Sequence, residues 1–194
     1  MFNFYVKEIV GKEVFFKDRN AKGRINDIVV NYDYIKPKAY AVEVDFGGFT
    51  ILVDFSSFDM IKEKEELVVS CNKTAYIESI EDNSLFISKH VLDKKVMDSK
   101  GVTLEKVKDI EFVNVSTGTY VVGARLGYTG LLAKAFASKG EGKLISWDEV
   151  EKIDFFRNGM KISKDFSSLP NLKQSDILSM MQELQTSVRK MNFA

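Results

Sequence analysis

Short runs of β-branched and aromatic residues, separated by polar turns, follow one another along most of this chain. Such runs are typical of β-strands, because branched and aromatic side chains suit a pleated, half-buried surface. Ten strands are predicted, at residues 13–17, 25–32, 39–46, 50–55, 66–71, 95–97, 104–115, 120–127, 143–146 and 151–155. The protein is therefore expected to be mainly β.

The ten predicted strands form two similar series. Three blocks of the first series match blocks of the second in order and position type: 9–14 with 91–96, 24–28 with 106–110, and 54–61 with 146–153. The first two matches are 82 positions apart and the third is 92 apart, so the second series carries ten extra residues, between Gly127 and Lys143. Self-similarity of this kind indicates a duplicated unit.

Each unit holds too few short strands to bury both faces of a flat sheet. Closing the strands into a small barrel also removes their exposed edges. We therefore expect two tandem small β-barrels, at residues 1–82 and 83–166. Phe55 and Trp147 occupy equivalent positions and are predicted to fill the two cores.

The C-terminal segment, residues 167–194, follows a helical pattern instead. Apolar residues recur there with helical spacing, at Ile177, Leu178, Met181, Leu184, Val188 and Met191. This spacing predicts an amphipathic helix whose start Asn171 or Ser175 can cap. Its apolar stripe, with Ile177, Met181 and Leu184, needs a partner, which is the second barrel, another subunit or a further domain.

A second apolar stretch lies within the extra residues of the second unit. Leu131, Leu132 and Phe136 have the spacing of one helix face and stand between glycines. We expect a short amphipathic arm that packs on its own barrel, on a neighbouring barrel, on a second subunit or on a further domain.

Charge and composition narrow the possible functions. The chain has 28 Lys and Arg residues against 28 Asp and Glu residues, so it lacks the basic excess that favours a nucleic-acid partner. One cysteine, Cys71, and one histidine, His90, exclude a Cys/His metal cluster. We find neither a signal-peptide pattern nor an apolar run of about 20 residues, so a cytoplasmic location without a membrane span is expected.

Catalytic chemistry has no recognisable motif here. His90 is placed in a turn, and the glycines fit neither a phosphate loop nor a dinucleotide fingerprint. Asp27 and Asp109 recur between the two units, which indicates a shared structural hydrogen bond. Asp148 and Glu149 form an acidic turn that suits a hard cation such as Mg²⁺, the alternative being a solvated turn. We therefore expect no enzyme.

These residues carry a resemblance to the PRC-barrel family. The turn-and-strand pattern of residues 9–27 and 91–109 resembles that domain, and residues 144–150 resemble its closing block. Residues 118–133 are similar to the second barrel of tandem PRC proteins that are linked to magnesium transporters. The resemblance implies a mainly β fold of two PRC-type barrels plus a C-terminal helix.

The tail carries a second resemblance. Residues 172–184 align without a gap with the motif LHPADIADLLEEL, which opens the cytoplasmic N domain of MgtE-type magnesium transporters. The identical positions are Leu172, Asp176, Ile177, Glu183 and Leu184, whereas Lys173 and Gln174 replace the His-Pro pair. That domain senses magnesium, so the resemblance makes Asp176 and Glu183, beside Asp148 and Glu149, candidate Mg²⁺ ligands.

Together the resemblances imply a non-enzymatic, cytosolic regulatory or adaptor module of magnesium transport. Its expected partner is a protein, either a second copy or part of a magnesium-transport system. The alternative is a module that binds RNA or ribosomal proteins during ribosome maturation, because RimM proteins also end in a PRC barrel. Against this alternative, the glycine-rich opening expected of a RimM protein is not found in residues 1–23.

Overall fold

A computed structural model describes residues 1–32, 36–64, 66–128, 142–154 and 159–191. The strands are β1 (Phe2–Tyr5), β2 (Glu13–Phe16), β3 (Ala21–Asn31), β4 (Lys38–Asp45), β5 (Thr50–Asp54), β6 (Phe58–Glu63), β7 (Glu66–Cys71), β8 (Ser84–Phe86), β9 (Lys95–Met97), β10 (Thr103–Val115), β11 (Gly118–Tyr128), β12 (Leu144–Ser146), β13 (Val150–Asp154) and β14 (Gly159–Ile162). The α-helices are α1 (Ile87–His90) and α2 (Gln174–Met191).

The predictions of a mainly β fold and of a C-terminal helix are confirmed. All ten predicted strands are present, and four strands that the pattern did not predict, β1, β6, β8 and β14, add to them. Helix α2 begins at Gln174, where the Lys173 amide donates to the Asp176 carboxylate over 2.7 Å. Asn171 does not cap the helix, because its side-chain oxygen accepts from the Leu144 amide instead, over 2.8 Å.

The expectation of two separate barrels is not confirmed. All fourteen strands join one curled sheet, whose main path runs β13-β14-β9-β10-β11-β4-β3-β2-β7-β6. The larger of two apolar core clusters contains residues of both halves of the chain, with Val14, Val42, Phe55, Val96 and Trp147 among its members. Phe55 and Trp147 do lie in this core, each 7% exposed.

The hydrogen-bond register repeats along the sheet. The pairs Ile25↔Val44 and Ile28↔Val42 join β3 to β4, and the pairs Val107↔Leu126 and Ile110↔Ala124 join β10 to β11. Each residue of the second set stands 82 positions after its counterpart in the first. The β-bulge between Ile25 and Asp27 also recurs at that offset, between Val107 and Asp109.

The first strand of each half pairs with the long strand of the other half. Strand β1 runs antiparallel to β10, with Phe4 opposite Phe112. Strand β8 runs antiparallel to β3, with Leu85 opposite Val30. The two halves therefore exchange their leading strands, which joins them into one core.

Asp27 and Asp109 hold these exchanged segments in place. The buried Asp27 carboxylate accepts from the Ser88 amide at 2.7 Å and from the Lys89 amide at 3.0 Å, both at the start of α1. Asp109 accepts from the Lys7 amide at 3.3 Å, in the turn that follows β1. The recurrence of these two aspartates thus corresponds to one hydrogen-bonding role in each half.

Glu105 on β10 is a buried carboxyl group whose ionisation should affect the stability of the fold. Its side chain is 8% exposed, and its Oε2 has no hydrogen-bond partner among the described residues. Burial raises the pKa of this carboxyl, against the opposing effect of the Lys143 charge. Because the folded state holds the proton more tightly than the unfolded state, ionisation lowers stability as the pH rises through the folded pKa.

Glu105→Gln is expected to raise the free energy of unfolding by about 1–2 kcal/mol at about pH 8, since it removes a buried charge. The gain should disappear toward about pH 4, where Glu105 is protonated in both states. Urea titrations of both proteins at the two pH values check this. An equal gain at both would show that ionisation is not the cause.

Candidate functional site: the seat of the C-terminal helix

Helix α2 lies on the outer face of the second half of the sheet. Ile177 and Met181, each 2% exposed, form an apolar cluster with residues of β10, β11 and β12. The sheet contributes Val113, Val115, Val122 and Leu144 to this cluster. Of the three partners expected for the apolar stripe, the structure thus shows the second half of the same chain.

Polar contacts fix the helix at both ends of its seat. The Leu172 amide donates to the Leu144 carbonyl at 2.8 Å, so the segment before α2 pairs with β12. The Thr117 hydroxyl, in the turn between β10 and β11, donates to the Leu184 carbonyl at 3.4 Å. Leu184 itself is partly buried against the apolar cluster. The three predicted contact residues of the helix therefore all face the sheet.

The other predicted contact segment is the short amphipathic arm of the second half. Leu131, Leu132 and Phe136 lie outside the described residues, and their role stays a prediction. The described strands before and after this segment in the sequence, β11 and β12, are two of the strands that contact α2.

Asp148 and Glu149, two of the four candidate Mg²⁺ ligands, already bind lysines. The Lys36 ammonium contacts both carboxylate oxygens of Asp148 at 2.7 Å. Glu149 accepts from Lys164 at 2.5 Å and from the Ser163 hydroxyl at 2.7 Å, and these bonds hold the pKa of its carboxyl below the usual range. A cation at this turn would have to displace both lysines.

The other two candidates, Asp176 and Glu183, are exposed on α2. Asp176 accepts from the helix start, as described above. Among the described residues, no three His, Cys, Asp or Glu side chains are placed to hold one metal ion. The Mg²⁺ ligands therefore stay a prediction.

A buried polar cluster beside α2 was missed at the level of sequence. The Glu111 side chain is fully buried, and its Oε1 accepts from the Asn3 amide group at 2.6 Å. The Arg125 guanidinium lies 4.6 Å above the Tyr5 ring and donates to its hydroxyl. Burial, followed by the Glu111 charge, raises the pKa of Tyr5 to about 12.

In the first half of the sheet, the cross-strand pair at the same place is apolar. The cross-strand pair Tyr5↔Glu111 of the second half corresponds to the pair Phe86↔Val29 of the first. Charged groups lie beside this pair as well, since the Lys89 ammonium is 4.5 Å above the Phe86 ring and contacts Glu43 at 2.6 Å. The sequence does carry a signal for the cluster, since Glu111 interrupts an apolar run between Ile110 and Phe112.

This cluster borders a small cavity at the start of α2. The cavity has a volume of about 280 Å³, and Tyr5, Arg125, Asn171, Leu172 and Gln174 are among its lining residues. The first turn of the helix, the segment before it and the polar cluster thus meet at one place, the junction between α2 and the sheet.

No protein-family model matches this chain, and a search of curated proteins finds no similar sequence. Among the helices that the structure describes, none is long and apolar enough to cross a membrane.

Proposed function

We propose that this protein is a non-enzymatic, cytosolic adaptor module of magnesium transport, in which the sheet presents helix α2 to a protein partner. The supporting observation is the seat of α2, because it separates the helix into two faces. Ile177 and Met181 are buried against the sheet, whereas Leu178, about 100° around the helix axis from Ile177, is 46% exposed at the edge of that face.

The residues shared with the MgtE motif fit this division. Leu172 and Ile177 join the apolar cluster, and Asp176 holds the helix start. Of the shared residues, Glu183 is exposed, and so is Leu178, which stands where the motif has alanine. The shared residues thus serve mainly to position the helix, and the exposed face is left for recognition. A partner from a magnesium-transport system would bind this face.

Isothermal titration with the purified cytosolic region of an MgtE-type transporter tests the proposal. We expect a complex, and Leu178→Asp should weaken it at least about tenfold, because an apolar contact at the centre of an interface is worth about 1.4 kcal/mol or more. The matched control is Ile80→Asp in the first half, since Ile80 is also 46% exposed. The control variant should bind as the unchanged protein does.

The titration is run in about 5 mM MgCl₂ and again in EDTA, and no binding in either would contradict the proposal. Thermal unfolding of the chain alone, in MgCl₂ and in an ionic-strength-matched NaCl control, separates docking from ion binding. A magnesium-specific shift of about 3–5 °C at ten times the dissociation constant would place a cation on these residues. Association with ribosomal particles instead would favour the RNA-binding alternative.

A further inference from the structure

Two lysines stand directly opposite each other on the outer face of the second half. Lys95 of β9 pairs with Lys106 of β10, and like charges in this position destabilise a sheet. On the neighbouring strands, Gly159 of β14 pairs with Lys95, and Gly127 of β11 pairs with Lys106. Lys108 lies over Gly127, with Asp93 at 3.7 Å from its ammonium. We name Lys95, Lys106 and Lys108 the basic face.

The first half shows that the fold does not demand this arrangement. Its corresponding residues are Glu13 and Arg24, which are also cross-strand partners. These two side chains form an ion pair at 3.9 Å. The ammonium groups of Lys95 and Lys106, by contrast, have no hydrogen bond or ion pair within the described chain. The second half therefore carries a charge repulsion that the first half avoids.

A repulsion between two negative charges lies on the β6–β7 hairpin of the first half. Glu63 and Glu66 stand directly opposite each other and both are exposed, with Lys12 at 3.8 Å from Glu66. Two positions further along the hairpin, on the same face, Ile61 pairs with Val68. These two side chains are 56% and 45% exposed. We name Glu63, Glu66, Ile61 and Val68 the acidic face.

The charge of the whole chain is divided in the same way. Residues 1–82 contain 11 Lys and Arg against 15 Asp and Glu, whereas residues 83–194 contain 17 against 13. The formal charges of −4 and +4 cancel in one chain. In the strand order, β11, β4, β3 and β2 separate the two faces, and no ion pair between described residues joins them. Within the described residues, the acidic pair is thus offset only by Lys12 at Glu66, and the two faces do not neutralise each other.

We propose that the acidic face of one copy of this chain binds the basic face of a second copy. Each contact would place carboxylates against ammonium groups and relieve two like-charge pairs at once. It would also cover Ile61 and Val68, whose exposure a charged partner alone does not explain. The two faces differ, so the contact is heterologous, and each bound copy keeps one face open.

A nucleic acid fits these observations less well. It would neutralise the basic face but leave Glu63 and Glu66 opposed and the adjacent apolar pair uncovered. Aromatic side chains that stack bases usually accompany a basic binding groove. None of the residues that form the two faces is aromatic.

Sedimentation velocity at several protein concentrations tests the proposal in about 20 mM and about 300 mM NaCl. Screening should weaken the self-association at least about tenfold at the higher salt. Lys106→Glu removes the charge complement on the basic face, and Glu63→Lys removes it on the acidic face, so each variant alone should stay monomeric. The control Glu78→Lys, an exposed change of equal charge, should associate like the unchanged protein.

The decisive experiment mixes the two variants that are expected to stay monomeric alone. Lys106→Glu retains an intact acidic face and Glu63→Lys retains an intact basic face, so their equimolar mixture should form a dimer that grows no further. A monomeric mixture, or an unchanged protein that stays monomeric at low salt, would overturn the proposal. Self-association that either single variant retains would overturn it too. Single-stranded RNA that binds the unchanged protein but not Lys106→Glu, in the absence of self-association, would assign the basic face to RNA.

Discussion

Phe4→Ala is expected to destabilise the protein by about 3–5 kcal/mol, although Phe4 lies only four residues from the N-terminus. Its side chain is fully buried, and its ring stacks on Phe112 with centroids 5.4 Å apart. Because β1 pairs with β10, the loss should appear in the second half of the chain. Urea unfolding gives the magnitude of the effect.

Hydrogen exchange locates the effect. Amides of β10 should lose protection before those of β3, which pairs with β8 and not with β1. The matched control is Phe15→Ala on β2, because Phe15 is 43% exposed and should contribute less than about 1 kcal/mol. Equal effects of the two substitutions, or earlier loss in β3, would contradict the exchange of leading strands.

Met181→Ala is expected to cost about 2–5 kcal/mol, since Met181 is 2% exposed in the apolar cluster between α2 and the sheet. The truncated side chain leaves a cavity against β10 and β11, which cannot collapse fully onto a rigid sheet. Urea unfolding measures the loss, and limited proteolysis should show faster cleavage within α2.

Leu178→Ala is the control for this experiment, because Leu178 lies on the same helix but is 46% exposed. Its effect should stay below about 0.5 kcal/mol. The measurements are repeated over a hundredfold range of protein concentration. A loss that grows on dilution would mean that α2 is seated on another subunit and not on its own sheet, since only intermolecular stability depends on concentration.

Several features of the site could be predicted because they depend on local spacing. The helical period of Ile177, Met181 and Leu184 identified the side of α2 that is buried. The recurrence of Asp27 and Asp109 indicated a structural hydrogen bond, and each carboxylate accepts backbone amides. In both cases the information lies within a few residues or in a repeated position.

Other features could not be predicted, because they depend on which strands become neighbours. Glu111 and Tyr5 are far apart in sequence and meet only through the pairing of β1 with β10. The repulsion between Lys95 and Lys106 likewise exists only across a strand pair. The lysine partners of Asp148 and Glu149 come from two other segments, at Lys36 and Lys164.

The sequence by itself determined ten of the fourteen described strands, the C-terminal helix and the residues with which that helix contacts the sheet, because side-chain periodicity reports local geometry. Only the tertiary structure decided that the two halves exchange β1 and β8 and share one core. Two closed barrels and one joined sheet use the same alternating pattern, since alternation specifies which side chains point inward but not which strand lies alongside. That choice belongs to long-range packing, and it places α2, the polar cluster and both charged faces.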